Sequence, residues 1–144
     1  MPEKKNLLLE PYTRNTAPSV AYATYTLLQR DPDAHVVVTP SDHFIQNEEL
    51  FCKTIEYAFD FVAEKDVFMT LGLVPTRPDS NYGYIQACGG KDAYKSTEPM
   101  QVKTFTEKPD RELAEVFIKT GEFLWNSGIF IWKANTIRQE MEKH

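Results

Sequence analysis

Short apolar runs alternate in this sequence with stretches whose apolar positions recur every three to four residues, and that alternation limits the fold more than any other feature. Val36, Val37 and Val38 form a β-branched run suited to a buried strand, and Pro40 ends its ladder. Before it, "NTAPSVAYATYTLLQR" reads as a helix. Asn15 or Thr16 supplies the N-cap, Pro18 sits in the first turn, and Val20, Ala23, Thr24, Leu27 and Leu28 share the inner face. After it, residues 47–65 read as a second helix with Phe51, Ile55, Ala58, Phe59 and Val62 inward and Glu48 and Glu49 at its positive end. Residues 7–9, 67–74, 84–88, 102–106 and 129–132 read as further strands. Asp110 caps another helix, with Leu113, Val116 and Phe117 inward and Gly121 placed to end it, and residues 135–144 read as a last one. The order βαβαβ, continued by more strands and a helix, predicts an α/β fold with a largely parallel sheet and helices on both faces.

Composition then removes several classes of function. A net charge of −5 argues against a sequence-independent grip on nucleic acid, which needs a basic face. No stretch approaches the roughly 18 apolar residues of a membrane span, and no basic start leads into an apolar signal core. Cys52 and Cys88 stand in no CxxC or Cys/His spacing, which predicts two reduced packing cysteines in a cytoplasmic protein. His35 and His43 find no third partner for zinc.

In open α/β sheets, ligands bind at the carboxyl ends of strands. Glu10, Asp42 and Glu107 fall just beyond three such ends. In "EPYTRNTAPS", Arg14 and Asn15 precede a helix start able to receive an anion or a base edge, although a plain capped helix with a solvent-facing arginine fits as well. In "TPSDHF", Asp42 offers one carboxylate, the number Mg²⁺ takes when substrate phosphates and water fill the rest; an Asx-turn is the alternative. In "NYGYI", Gly83 permits close backbone approach by a ligand, or only a bulge. In "TFTEKPD", Glu107 and Lys108 should point to opposite faces and be held extended before Pro109, if they are not simply an exposed loop. "WNSGIF" reads as a turn that puts Asn126 ahead of the last strand.

Taken in order, EPxxRNTAP, PSDH, YGYI, EKP and WNSG resemble bacterial mannose-1-phosphate guanylyltransferases, of the sugar nucleotidyltransferase superfamily, over nearly the whole chain. The resemblance implies a Rossmann-like three-layer αβα nucleotidyltransferase fold with a mostly parallel mixed sheet. It implies transfer of GMP from GTP to α-D-mannose 1-phosphate, with Mg²⁺ as cofactor and release of pyrophosphate. Arg14, Asn15, Thr16 and Ala17 would then bind the nucleotide, and Asp42 the metal. Tyr82, Gly83, Glu107 and Asn126 would bind the sugar, Lys108 would reach a phosphate, and Asp42 and Lys108 would carry the catalysis. The family's Gly-rich GGxGxRxxP loop and its second metal-binding aspartate have no counterpart in these residues. Residues 1–144 are therefore expected to be one partial catalytic domain, truncated at both ends and nearly inactive alone. An exposed sheet edge or exchanged segments would allow a homodimer. A dTTP- or UTP-using relative and a non-catalytic nucleotide-binding domain are the rival expectations.

Overall fold

The computed structural model describes residues 6–12, 14–96 and 98–144. The described residues form two compact units: those up to Met69 together with Phe130–His144, and those of Thr70–Ile129. Among the described residues, helices and strands follow in the order α1 Thr16–Leu28, β1 His35–Val38, α2 Glu48–Glu64, β2 Met69–Leu73, β3 Tyr84–Ala87, β4 Val102–Thr106, α3 Arg111–Thr120, β5 Phe123–Lys133 and α4 Ala134–Lys143. No helix among the described residues is long and apolar enough to cross a membrane.

In the first unit β1 pairs antiparallel with the end of β5, from His35↔Lys133 to Val38↔Phe130. The Leu50 N–H donates to Asn47 Oδ1 at 3.0 Å and opens α2. Ile55, Ala58 and Val62 of α2 are buried, as the periodicity predicts. So are Ile131, Trp132 and Ala134, at the end of β5 and the start of α4. Helices α1 and α4 pack together, and the Tyr25 hydroxyl donates to Glu142 Oε1 at 3.3 Å. Fully burying a side chain such as Val62 or Ile131 contributes about 1.5–3 kcal/mol.

In the second unit β3 pairs antiparallel with β4 and with the start of β5, the latter from Tyr84↔Trp125 to Gln86↔Phe123. Helix α3 lies over a core of Tyr84, Ala114, Phe117, Trp125 and Phe123. The rings of Phe117 and Phe123 stack 3.9 Å apart. Asp110 Oδ1 accepts from the Leu113 N–H at 2.8 Å, and Gly121 closes the helix at φ 69°, ψ 15°. Asp110→Ala should cost about 1 kcal/mol in a urea melt; a change under about 0.3 kcal/mol would mean that the cap contributes nothing.

Several expectations are corrected. The sheet is not mostly parallel: each pairing with a defined register is antiparallel. Strands β4 and β5, joined through α3, do run the same way, but β3 lies between them. Alternation along a chain sets the direction of strands joined by a helix, not which strands become neighbours. Residues 7–9 form no strand; they pair with none among the described residues, and Leu9 is 80% exposed. On α3 the inner face belongs to Ala114 and Phe117, while Leu113 and Val116 are exposed. The apolar spacing is right, but its phase is one residue off because Phe117 is drawn to Tyr84 and Phe123. Neither cysteine packs: Cys52 and Cys88 are free and exposed.

Candidate functional site

Each unit carries one group of the residues singled out in the sequence. In the second unit, Gly83, Glu107 and Asn126 come together. A Cβ added at Gly83 would lie 2.8 Å from Glu107 Oε2 and 3.5 Å from the Asn126 Cβ. The Gly83 carbonyl accepts from the Asn126 N–H at 2.7 Å. Asn126 is not in a turn before β5 but within it, and the strand is distorted there, with Gly128 at φ 73°. Asn126 Oδ1 accepts from the Gly128 N–H at 3.2 Å, and the Thr70 hydroxyl lies 3.1 Å from it and 2.9 Å from the Ile129 carbonyl. The Gly128 N–H fixes which end of the amide is oxygen. The Asn126 NH₂ group then stays available as a donor.

Glu107 and Lys108 do not diverge as expected. Lys108 Nζ lies 3.6 Å from Glu107 Oε1, and both side chains are about two-thirds exposed. Nor is Lys108 extended: its φ is 41°. Two residues past β4 the chain turns sharply at Lys108, which folds the ammonium back along its neighbour. An exposed pair at this distance contributes at most about 1 kcal/mol, so a ligand phosphate can compete for the lysine at small cost.

The Tyr82 ring packs on Trp125, centroids 4.8 Å apart. Successive strand residues point to opposite faces, so Trp125 and Asn126 lie on opposite sides of β5. Tyr82, 39% exposed, thus covers the Trp125 ring, and the Arg77 guanidinium lies 5.3 Å from the same ring.

Sequence reasoning missed the residue that organises this loop. Asp79 Oδ1 accepts from the Asn81 N–H and from Asn81 Nδ2, both at 3.0 Å, and Oδ2 accepts from Arg77 Nη2 at 2.8 Å. Its own N–H donates to the Tyr84 hydroxyl, which donates back to the Asp79 carbonyl, each at 3.1 Å. The spacing Asp-x-Asn ahead of a glycine was the available signal, since Asp favours a bond to the backbone two residues on. The Asn81 amide, foremost, holds the Asp79 carboxyl below its ordinary value of 3.8, and Arg77 adds to this. A depressed pKa in the folded state stabilises the loop above the ordinary value, and the effect is lost as pH falls through the folded one. The Asn81 amide resonance should therefore titrate with a midpoint below 3.8. Asp79→Asn should abolish that titration; its survival would assign it to another group.

In the first unit, Arg14, Asn15, Thr16 and Ala17 are exposed around the start of α1. Asn15 is the N-cap, but its side chain makes no capping bond, and its backbone stands at φ 67°, ψ −174°. That conformation costs a non-glycine residue about 1–3 kcal/mol. The Ser19 hydroxyl lies 2.7 Å from Glu10 Oε1 and 2.9 Å from the Asn15 carbonyl, so Glu10 is tied to the helix start. Asp42 follows β1 by a short turn, is exposed, and makes no hydrogen bond among the described residues. Nor do three His, Cys, Asp or Glu side chains come together to hold a metal among those residues. A single exposed carboxylate is the kind of hard-oxygen donor a divalent cation accepts, and no metal-binding group of side chains forms around Asp42 among the described residues.

The sequence model of the nucleotidyl transferase family matches residues 3–144. A mannose-1-phosphate guanylyltransferase of Klebsiella pneumoniae is 39% identical over 138 residues, which cover 96% of this chain and 29% of that protein. The chain spans 28% to 30% of the length of the curated relatives it matches. A Thermus thermophilus crystal structure described as a mannose-1-phosphate geranyltransferase superposes with a TM-score of 0.82 at 29% identity, over 95% of this chain and 38% of that one. A Helicobacter pylori mannose-6-phosphate isomerase superposes with a TM-score of 0.75 at 33% identity, over 94% and 48% of the two chains.

Proposed function

The chain belongs to the nucleotidyl transferase family, and on that premise we propose that it serves the transfer of GMP from GTP to α-D-mannose 1-phosphate. In that reaction an oxygen of the sugar phosphate attacks the α-phosphorus, the bond to the β-phosphate oxygen breaks, and pyrophosphate leaves with GDP-mannose formed. The observation that carries the reading is the Gly83, Glu107 and Asn126 group. A carboxylate accepts from hydroxyls, a fixed amide donates to one, and a glycine between them lets a ring come close to the backbone. That set suits a polyhydroxylated ligand, and the three relatives' names have a mannose phosphate in common although they describe different reactions.

Lys108 is assigned to the sugar's phosphate, released from Glu107 when the ligand arrives. Arg14, Asn15, Thr16 and Ala17 are assigned to the nucleotide. The free side chain of Asn15 and the N–H groups that open α1 support this, because both can address a base edge or an anion. Asp42 is assigned to Mg²⁺, which when bound neutralises phosphate charge during the transfer.

Calorimetric titration with mannose 1-phosphate and with GTP tests the reading. Mannose 1-phosphate should bind, and Asn126→Ala should weaken it about tenfold while leaving GTP unaffected. GTP should bind more tightly with Mg²⁺ than without, and Asp42→Asn should remove that difference. Failure of both compounds to bind at millimolar concentration overturns the proposal.

A further inference from the structure

We infer that Asp79 is a positioning residue for the sugar, acting through the backbone of Tyr82 and Gly83; the inference rests on the function proposed above. Its carboxylate holds Asn81, and its backbone N–H and C=O hold the hydroxyl of Tyr84. Tyr82 and Gly83 are the only residues between those two anchors, so the segment is closed at both ends. The Tyr84 anchor is seated by its ring, which is fully buried against Phe117. The other end is fixed by the carboxylate, whose side chain is 13% exposed and is also clamped by Arg77.

What the loop delivers is the place of one backbone atom. Gly83 must present its Cα beside Glu107 and its carbonyl to the Asn126 N–H at once. A hydrogen bond weakens steeply once its distance and angle leave the favourable range, so a shift of the Gly83 backbone weakens the hold on a ligand placed between a carboxylate and an amide. Asp79 touches neither Glu107 nor Asn126 by any hydrogen bond among the described residues, so its effect passes through the chain from 79 to 84. Arg77 pairs with Oδ2, the oxygen that does not serve Asn81, so the bonds to Asn81 stand apart from that ion pair.

Two conservative variants separate this geometric role from one of charge. Asp79→Asn keeps an oxygen at the same distance for the Asn81 amide and gives up the ion pair with Arg77. Asp79→Glu keeps the charge and lengthens the arm by one methylene, which carries the carboxylate past Asn81. The dissociation constants for mannose 1-phosphate and GTP are measured by calorimetry on each variant, with melting temperatures alongside. Asp79→Asn should stay within about threefold of the parent protein for mannose 1-phosphate, and Asp79→Glu should weaken about tenfold, with GTP unchanged in both. Equal affinity in all three proteins, equal loss in both variants, or loss confined to Asp79→Asn overturns the inference. If Asp79→Glu does not fold, Asn81→Gly carries the test: it removes the side-chain bond and loosens the segment, and parent-like affinity there overturns the inference. Failure of the unsubstituted protein to bind mannose 1-phosphate, by contrast, removes the proposed function itself.

Discussion

Gly83→Ala should leave the protein folded and weaken its hold on mannose 1-phosphate at least tenfold. The added methyl would come 2.8 Å from Glu107 Oε2, far inside contact distance. That oxygen is the end of a flexible, two-thirds exposed side chain, so the carboxylate swings aside and the backbone stays. Gly83 is not among the glycines at positive φ, so alanine meets no backbone strain there. The change in stability should stay below about 1 kcal/mol, because alanine also restricts the unfolded chain and offsets part of any loss. The effect is then confined to recognition: Glu107 is displaced, and the methyl fills space that a ring hydroxyl would use. Tenfold corresponds to about 1.4 kcal/mol, the scale of a single misplaced charged hydrogen bond. Gly83→Val should do more, about a hundredfold, because its second carbon shell also presses on the Asn126 Cβ at 3.5 Å. A dissociation constant within twofold of the parent for Gly83→Ala would remove Gly83 and Glu107 from the site.

The largest loss of stability is expected at Tyr84. Its side chain is fully buried, its ring lies 5.3 Å from that of Phe117, and its hydroxyl holds both backbone groups of Asp79. Tyr84→Ala opens a cavity the size of a ring at the centre of the second unit's core, and should cost about 3–5 kcal/mol. Against a typical total of about 5–15 kcal/mol, that is enough to shift a urea midpoint by a large fraction. Tyr84→Phe keeps the ring and removes two hydrogen bonds, at a cost of about 1–2 kcal/mol. The difference between the two variants measures packing, and the smaller loss measures the hydroxyl. Tyr84→Phe should also weaken mannose 1-phosphate, since the buried ring stays but the Asp79 backbone, at the far end of the segment that carries Gly83, loses both its bonds to the hydroxyl. Equal losses in the two variants would mean that the ring contributes nothing, contrary to its burial.

Features settled over a few residues are legible in the sequence alone. Asp110 and Gly121 mark helix ends through a local hydrogen bond and a backbone conformation, and each does so here. The strands at 84–87 and 102–106 follow from β-branched and aromatic content between turn residues. Sheet order is not legible in this way, because the partner of a strand is chosen by contacts distant in sequence. The run 7–9 has the composition of a strand but pairs with none among the described residues, and composition cannot supply a ladder. "WNSG" has the look of a turn because Asn, Ser and Gly usually make one. Within β5 the same residues bend a continuous strand by bonding their own backbone.

The candidate site is legible in part for the same reasons. Gly83, Glu107 and Asn126 each stand out in the sequence, and they meet in one unit. The pairing of Lys108 with Glu107 does not follow from the sequence, since it depends on a positive φ that the residue before a proline seldom takes. Asp79 escapes sequence reasoning because its bonds are to its own loop, and a carboxylate serving a loop looks like any turn aspartate.

The exposure of Cys52 and Cys88 has an experimental consequence. The first thiol lies on α2 in one unit and the second just past β3 in the other, so each unit carries a reactive handle in the native sequence. A nitroxide label attached at each turns the chain into its own reporter. The line shape at each site, read with GTP and with mannose 1-phosphate separately, reports which unit each ligand touches, without a single substitution.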